Sequence, residues 1–290
     1  MDKKKIAYQG VAGAYSHLAC KSVFPAHQAF ACEDFQSAML MVEQGAAEYA
    51  MIPLENSTAG RVEEIYRLLP KTHLQIIAEH FEPVNHCLLA LPEVELADIK
   101  TVSSHPQALA QCFHHLAELN IKAVAAVDTA LSAKDLSAKD PSIDDSGKTH
   151  GAIASVLAAE LYGLKVVAEN FQDISGNTTR FIVLAKTAST EVFDAQQNYL
   201  TSLLFTVRNM PAALYKALGG FATNGVNLIK LESYMDGGTM EASHFHIDLA
   251  GHPEQRSMKN ALSELEFFAK DIRILGSYPA HKYRRKHDFV

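Results

Sequence analysis

The chain has 290 residues, a length that ordinarily divides into about two domains. With 48% hydrophobic and 20% charged residues it has the make-up of an ordinary globular protein. A formal net charge of -7 gives no electrostatic reason to expect a nucleic-acid partner. The basic start Met1-Asp2-Lys3-Lys4-Lys5 meets Ile6-Ala7-Tyr8-Gln9-Gly10 at once, so neither a signal peptide nor a membrane span is expected. Cys20, Cys32, Cys87 and Cys112 show no C-x-x-C spacing and read as reduced thiols of the cytoplasm. Asn56-Ser57-Thr58 and Asn177-Thr178-Thr179 match the glycosylation pattern, which in that compartment is accidental.

In chain order, residues 5–9 predict a short strand, Gly10 to Ser16 a glycine-bearing loop, and residues 17–24 a helix. A strand, a glycine turn and a helix start make an anion pocket plausible, because first-turn N–H groups are unpaired. The loop lacks the Lys-Ser/Thr ending of a P-loop and the third Gly of a dinucleotide fingerprint, which disfavours nucleotides. Residues 35–44 read as a helix and Tyr49 to Leu54 as a buried strand. That strand runs into Glu55-Asn56-Ser57-Thr58-Ala59-Gly60-Arg61-Val62, before a helix reaching Leu69. Helix capping accounts for one of these polar residues and leaves Glu55 without a structural role, so the stretch is a candidate site.

Ile76-Ile77-Ala78-Glu79-His80-Phe81 and Val166-Val167-Ala168-Glu169-Asn170-Phe171 share one pattern. They bracket an α/β stretch, as two chain crossings between two lobes would. Inside the bracket, Thr101 to Leu109 predicts strand, loop and helix start, with His105 before Pro106 at the first helical position. Residues 124–127 predict a strand, Asp128-Thr129 caps a helix from Ala130 towards Lys139, and 139–149 predicts an exposed loop. Gly151 to Ser155 is read as opening an Ala-rich helix that ends at Gly163. These loops are expected to converge on one cleft. Then comes Asp173 to Phe181, a polar loop running into the apolar Ile182-Val183-Leu184-Ala185. Strand mouths of this kind favour ligands. By period-2 alternation Thr179 and Phe181 share one face and Arg180 takes the other.

Residues 188–198 are polar and read as a linker. The rest predicts β-α-β-β-α-β: strand 200–208, helix 212–223, strand 226–235, strand 244–250, helix 254–268 and strand 272–278. His244 and His246 share a strand face, but no third metal ligand is evident, and a core or interface pair is the better reading. No metal is expected. The basic residues 281–287 read as a solvated tail.

Several of these stretches together resemble one family, the bacterial monofunctional prephenate dehydratases with a C-terminal ACT regulatory domain. The matching stretches are Gly10 to Ser16, Pro53-Leu54-Glu55-Asn56-Ser57 with Gly60, Ser104-His105-Pro106-Gln107-Ala108-Leu109, and Asn177-Thr178-Thr179-Arg180-Phe181. Pro211-Ala212-Ala213-Leu214 with Leu231-Glu232-Ser233 completes the set.

The resemblance implies an α/β fold: a two-lobed, periplasmic-binding-protein-like catalytic domain at 1–187, with lobe one about 1–79 plus 170–187 and lobe two about 80–169. A 188–198 linker, an ACT domain of ferredoxin-like βαββαβ form at 199–279 and a basic tail at 280–290 would follow. It implies a cytoplasmic, cofactor-free carbon–oxygen lyase that converts prephenate to phenylpyruvate, water and CO2 in phenylalanine biosynthesis. L-phenylalanine would be its effector, and the assembly a homodimer or homotetramer without nucleic-acid or membrane partners.

The expected catalytic residues are Thr179, Glu55, Asn56 and Ser57. Thr179 would polarise the departing hydroxyl, fed by a proton from a neighbour such as Glu55. Gly13, Ser16, Ser104, His105, Gln107, Thr129, Arg180 and Phe181 are expected to bind substrate. Arg180, or the helix N-termini after Gly13 and Ser104, would hold the pyruvyl carboxylate, and Phe181 would pack in the core. Ala212, Ala213, Leu214, Asn224, Leu231, Glu232 and Ser233 are expected at the effector. The chain departs from the family's Gly-Ala-Leu at Ala212 and from its Glu-Ser-Arg-Pro at Tyr234-Met235. The added methyl crowds a tight pocket and the lost Arg removes a cation. Two rival readings are an arogenate dehydratase and a non-catalytic amino-acid sensor.

Overall fold

The computed structural model describes residues 4–138, 145–189, 192–235 and 242–286. Its elements run β1 (Lys5–Gln9), α1 (Tyr15–Val23), β2 (Gln28–Cys32), α2 (Phe35–Glu43), β3 (Tyr49–Asn56), β4 (Gly60–Arg61), α3 (Glu63–Leu68), β5 (Gln75–Pro83) and β6 (Cys87–Ala90). They continue β7 (Thr101–Ser104), α4 (Pro106–Gln111), α5 (Phe113–Glu118), β8 (Lys122–Ala125), α6 (Thr129–Ser137), β9 (His150–Ala154), α7 (Val156–Tyr162), β10 (Lys165–Ala168) and β11 (Thr178–Ala185). The chain closes with β12 (Tyr199–Val207), α8 (Ala213–Thr223), β13 (Leu228–Met235), β14 (Ala242–Ala250), α9 (Arg256–Phe268), β15 (Ala269–Pro279) and α10 (Lys282–Lys286).

The strands form three sheets, ordered β2-β1-β3-β11-β5 with β4 on β3, then β10-β6-β9-β7-β8, then β13-β14-β12-β15. The first two make the pair of lobes. The chain leaves the first sheet after Pro83 and joins the second at Cys87, then returns between Ala168 and Thr178. Two crossings are present: the first follows the hexapeptide at 76–81, and the second begins within the hexapeptide at 166–171. Residues 76–81 lie in the first sheet, whereas Val166 pairs with Leu89 at the edge of the second. Short apolar runs of equal pattern carry no information on which sheet receives them.

Gly151 to Ala154, read as the start of a helix, is instead the buried strand β9 between β6 and β7. A Cβ at Gly151 would fall 3.0 Å from the Leu89 carbonyl oxygen, so the small residue admits a close neighbouring strand. Ser155 then caps α7 by accepting from the Ala158 N–H. Part of the expected exposed loop, residues 139–144, lies outside the described residues; 145–149 form a 3-10 turn. The apolar interior of the second lobe runs through Leu88, Val102, Leu116, Leu136 and Ile153.

Compactness divides the chain into two units: Met1–Met41, Met51–Val62 and Phe81–Phe181, and Val42–Ala50, Glu63–His80 and Ile182–Val290. Residues 42–50 and 63–80 fall in the same compact unit as the C-terminal sheet. The reason is a set of contacts that no sequence pattern announces. Arg273 donates to the carbonyls of Leu69, Pro70 and Thr72 where α3 ends. Gly276 lies so close to the Ile76 backbone that an added Cβ would overlap the Ile76 carbonyl oxygen. Arg284 forms a bidentate pair with Glu79, at 2.6 and 2.8 Å, and both residues are buried. The expected solvated tail thus includes a buried anchor; residues 287–290 lie outside the described chain.

Within this second unit, β12-α8-β13-β14-α9-β15 is the βαββαβ arrangement expected, with β14 and β15 flanking β12. Its core holds Leu203, Phe205, Phe221, Ile247, Leu249 and Leu265. His246 is buried beside Asp248 and against the Tyr66 ring, and the His244 ring lies tilted beside that of Tyr234. No group of three or more His, Cys, Asp or Glu placed to hold a metal occurs among the described residues. Nor is any described helix long and apolar enough to cross a membrane.

Candidate active site

A cavity of about 420 Å³ lies within the first unit, lined from both lobes. One lobe contributes Asn56 at the end of β3, Arg61 on β4, and Thr179 and Phe181 on β11. The other contributes His105, Gln107 and Gln111 around α4 and Thr129 at the start of α6. Tyr15 and Ser16 enter from the first turn of α1, and His86 from the segment that crosses between the sheets.

Strand alternation explains the Thr179 stretch. Thr179 and Phe181 face the cavity and Arg180 faces away from it. Arg180 is only 2% exposed and bonds Glu55, itself 32% exposed, at 2.9 Å. Two expectations are corrected here. The Arg180 guanidinium is on the strand face opposite the cavity, and Glu55 is engaged by it rather than by Thr179. Neither residue lines the cavity. Phe181, expected in the core, is 1% exposed and also forms part of the wall.

Asn56 orders the polar side. Its Oδ1 accepts from Thr58 N, Thr58 Oγ1 and Ala59 N at 3.0, 2.8 and 2.9 Å. The amide can therefore turn only one way, and Nδ2 donates to Thr179 Oγ1 at 3.0 Å. Ser57, expected among the catalytic groups, does not line the cavity. It accepts from Thr178 N at 3.0 Å and reaches Asn177, fastening the 56–58 turn to β11.

Two further expected residues also prove structural. Ser104 is fully buried and donates to the Ile153 carbonyl at 2.6 Å. A Cβ at Gly13 would sit 2.9 Å from Ala158, so this glycine, at φ +90°, lets α7 approach. Its N–H is taken by His17 Nδ1 at 3.1 Å. Ser16, His105, Gln107 and Thr129 are on the lining. His105 spends Nδ1 on the Gln107 N–H as the cap of α4.

Tyr15, Arg61 and Asn177, which lie inside the candidate stretches without having been expected individually, line the cavity, as do His86, Gln111 and Asp128 from outside them. Gln111 was within reach, being one helical turn beyond Gln107 on the same face. His86 carries no pattern of its own between Asn85 and Cys87. Gln111 connects the lobes, donating to Thr58 Oγ1 at 3.1 Å while Asn177 Nδ2 donates to its Oε1 at 3.1 Å. The His86 ring lies between Tyr15 OH at 3.0 Å and Gln111 Oε1 at 2.9 Å. Burial pushes the His86 pKa below the ordinary imidazole value, while the Gln111 bond opposes that shift.

A second cavity of about 460 Å³ lies within the second unit, lined by Val207, Ala213, Leu214, Leu231, Ser233 and Phe245. Ala212, Asn224 and Glu232, expected there, are not on its lining. Ala212 precedes α8 in a left-handed conformation. Asn224 ends that helix and binds Glu264 of α9 at 2.8 Å. Glu232 points to the other face of β13, 3.9 Å from Lys230.

Two α/β lobes lining one polar cleft, with a βαββαβ sheet following in the chain, define a two-lobed α/β class of protein. A model of the family described as prephenate dehydratase matches residues 6–189. The bifunctional N-acyl-homoserine lactone acylase/prephenate dehydratase of Komagataeibacter europaeus is 44% identical over 281 residues, covering 97% of this chain and 98% of that protein. Arogenate dehydratase/prephenate dehydratase 1, chloroplastic, of Arabidopsis thaliana is 40% identical, covering 96% of this chain and 72% of its own length. Among solved structures, the prephenate dehydratase of Arthrobacter aurescens in complex with L-Phe is 30% identical with a TM-score of 0.84, covering 98% of this chain and 97% of that one. The chain belongs to the prephenate dehydratase family, and so to the carbon–oxygen lyases.

Proposed function

We propose that the first cavity converts prephenate to phenylpyruvate, water and CO2 in phenylalanine biosynthesis. Prephenate is a dianion. The C4–O bond and the bond to the ring carboxylate break together, and the latter's electron pair completes the aromatic ring. Phenylpyruvate keeps one negative charge, CO2 none, and the departing hydroxide takes up one proton to become water. Aromatisation drives the reaction, so the enzyme's task is to help a poor leaving group depart.

The observation that carries this reading is the bond from Asn56 Nδ2 to Thr179 Oγ1. With its oxygen already accepting from Asn56, Thr179 turns its own proton elsewhere, and its side chain is on the cavity wall. A hydroxyl that accepts one bond donates a stronger second one. Thr179 is thus arranged to donate to the leaving oxygen, help that is typically worth about a hundred- to ten-thousandfold. The ring carboxylate, whose charge vanishes in the transition state, should be held loosely. Turning Arg180 away from the cavity agrees with that requirement, and leaves Arg61 and the first turn of α1 for the pyruvyl carboxylate, which keeps its charge.

Arogenate, with an ammonium in place of the ketone, is the second reading. Asp128 favours it, because this carboxylate lies on the cavity lining with one oxygen capping α6, where it can meet an ammonium. The second cavity is read as the L-phenylalanine site, an apolar pocket with Ser233 as its polar group. The open-edged βαββαβ sheet is read as a pairing surface in a homodimer or homotetramer. The deciding experiment is ultraviolet detection of phenylpyruvate from prephenate, with and without phenylalanine, beside a parallel assay on arogenate. Product that phenylalanine suppresses is expected. Binding of phenylalanine without turnover would instead mark a sensor.

A further inference from the structure

His86 meets an arrangement that suits one protonation state. Gln111 Oε1 already accepts from Asn177, so its bond to His86 Nε2 at 2.9 Å requires a proton on that nitrogen. Tyr15 OH lies 2.8 Å from the Asn85 carbonyl, which can only accept, and 3.0 Å from His86 Nδ1. The single phenolic proton cannot serve both. If it goes to Asn85, Tyr15 must accept from a proton on Nδ1 as well. Only the imidazolium completes all three bonds; a neutral ring leaves one unmade. Against this stands desolvation, since His86 is 2% exposed.

The groups around this pair are few. Glu82 of β5, Cys87 of β6 and Cys112 act on Tyr15. Gln172 takes the His86 backbone N–H, and Arg61, His105 and Asp128 share the cavity wall. An anion held on this wall would favour the imidazolium over the neutral ring.

We propose that His86 is the positioning residue that takes up a proton when an anionic substrate binds. This rests on the reading of the cavity as a dehydratase site. As imidazolium it donates to Tyr15 and to Gln111 together. Gln111 is thereby held on Thr58 and Asn177, and Thr58 holds the Asn56 amide that donates to Thr179. The charge therefore does two things. It offsets one of the substrate's negative charges, and it locks the bonds between the lobes into the arrangement that presents the Thr179 proton.

The test is calorimetry of phenylpyruvate binding to the full chain at neutral pH, in buffers of differing ionisation enthalpy. Uptake of roughly one proton per ligand is expected, with uptake reduced in both His86→Gln and Tyr15→Phe. Kinetically, kcat/KM for prephenate should fall tenfold per pH unit above the free-enzyme pKa of His86. The kcat profile should stay flat to higher pH, and His86→Gln should lose the difference. Binding without proton uptake in the wild-type protein, no binding of the anion, or unchanged uptake in a folded His86→Gln protein would overturn the assignment. Uptake present with no phenylpyruvate formed from prephenate would leave His86 as assigned and remove the dehydratase reading.

Discussion

Thr179 and Glu55 are near neighbours across two strands, yet their substitutions should fail in different assays. On the proposed reading Thr179→Ala removes the hydroxyl that donates to the leaving group, so kcat should drop by about a hundredfold or more while KM changes little. Thr179→Ser keeps the hydroxyl and the Asn56 bond and should retain most of the activity. Equal losses in the two variants would show that the methyl, not the oxygen, matters. Glu55→Ala instead removes the carboxylate paired with a guanidinium that is 2% exposed. Because Glu55 is itself about one-third exposed, water recovers part of that loss, and a destabilisation of about 1–3 kcal/mol is expected. Urea unfolding reads it directly; a midpoint unchanged from wild type would contradict the buried pair. The alternation that separates Arg180 from Thr179 was legible in the sequence. Which side faced the cleft was not, because alternation assigns faces without assigning the cleft to either.

At the level of elements, the turn into α8 carries a backbone cost. Ala212 has φ +56° and ψ +35°, a left-handed conformation that costs a residue with a Cβ roughly 1–2 kcal/mol. The departure at this position therefore acts first on the backbone and only indirectly on the pocket, whose wall includes Ala213 but not Ala212. Ala212→Gly should raise the unfolding midpoint by relieving that strain, partly offset by the greater freedom of glycine in the unfolded chain. A lower midpoint would show that the left-handed turn is wrong. The same element scale explains the misread segment at Gly151. Alanine-rich sequence favours helix locally, but a strand between β6 and β7 is what buries Ala152, Ile153 and Ala154. Tertiary burial outweighs a propensity difference of a few tenths of a kcal/mol per residue.

For the molecule as a whole, burial lowers the pKa of several histidines. His17 and His86 in one unit, and His281 in the other, are held below 6.5 chiefly by desolvation. Lys21 adds to this at His17 and His80 at His281. The unfolded chain therefore binds more protons than the folded one just below pH 6.5. Stability should be fully present above that pH and should decline as pH falls towards the folded values. Denaturant midpoints at pH 5.5 should be lower than at pH 7.5, and a rise on acidification would refute the assignment.

Sequence alone determined the βαββαβ region and the polar stretches at 55–58, 104–107 and 177–181, because strand and helix periodicities and helix caps are local; the two lobes came from the paired hexapeptides and the family resemblance. It also led to the family, through short motifs in a set order. Only the tertiary structure decided which polar residues meet. Gln111, His86 and Tyr15 come from separate parts of the chain, and their shared network depends on how the lobes close. The anchoring of the C-terminal region through Arg273, Gly276 and Arg284 was equally hidden. Its partners are backbone carbonyls and a buried carboxylate some two hundred residues away. A carbonyl is present at every residue, so the chain's own letters cannot say which of them an arginine will find.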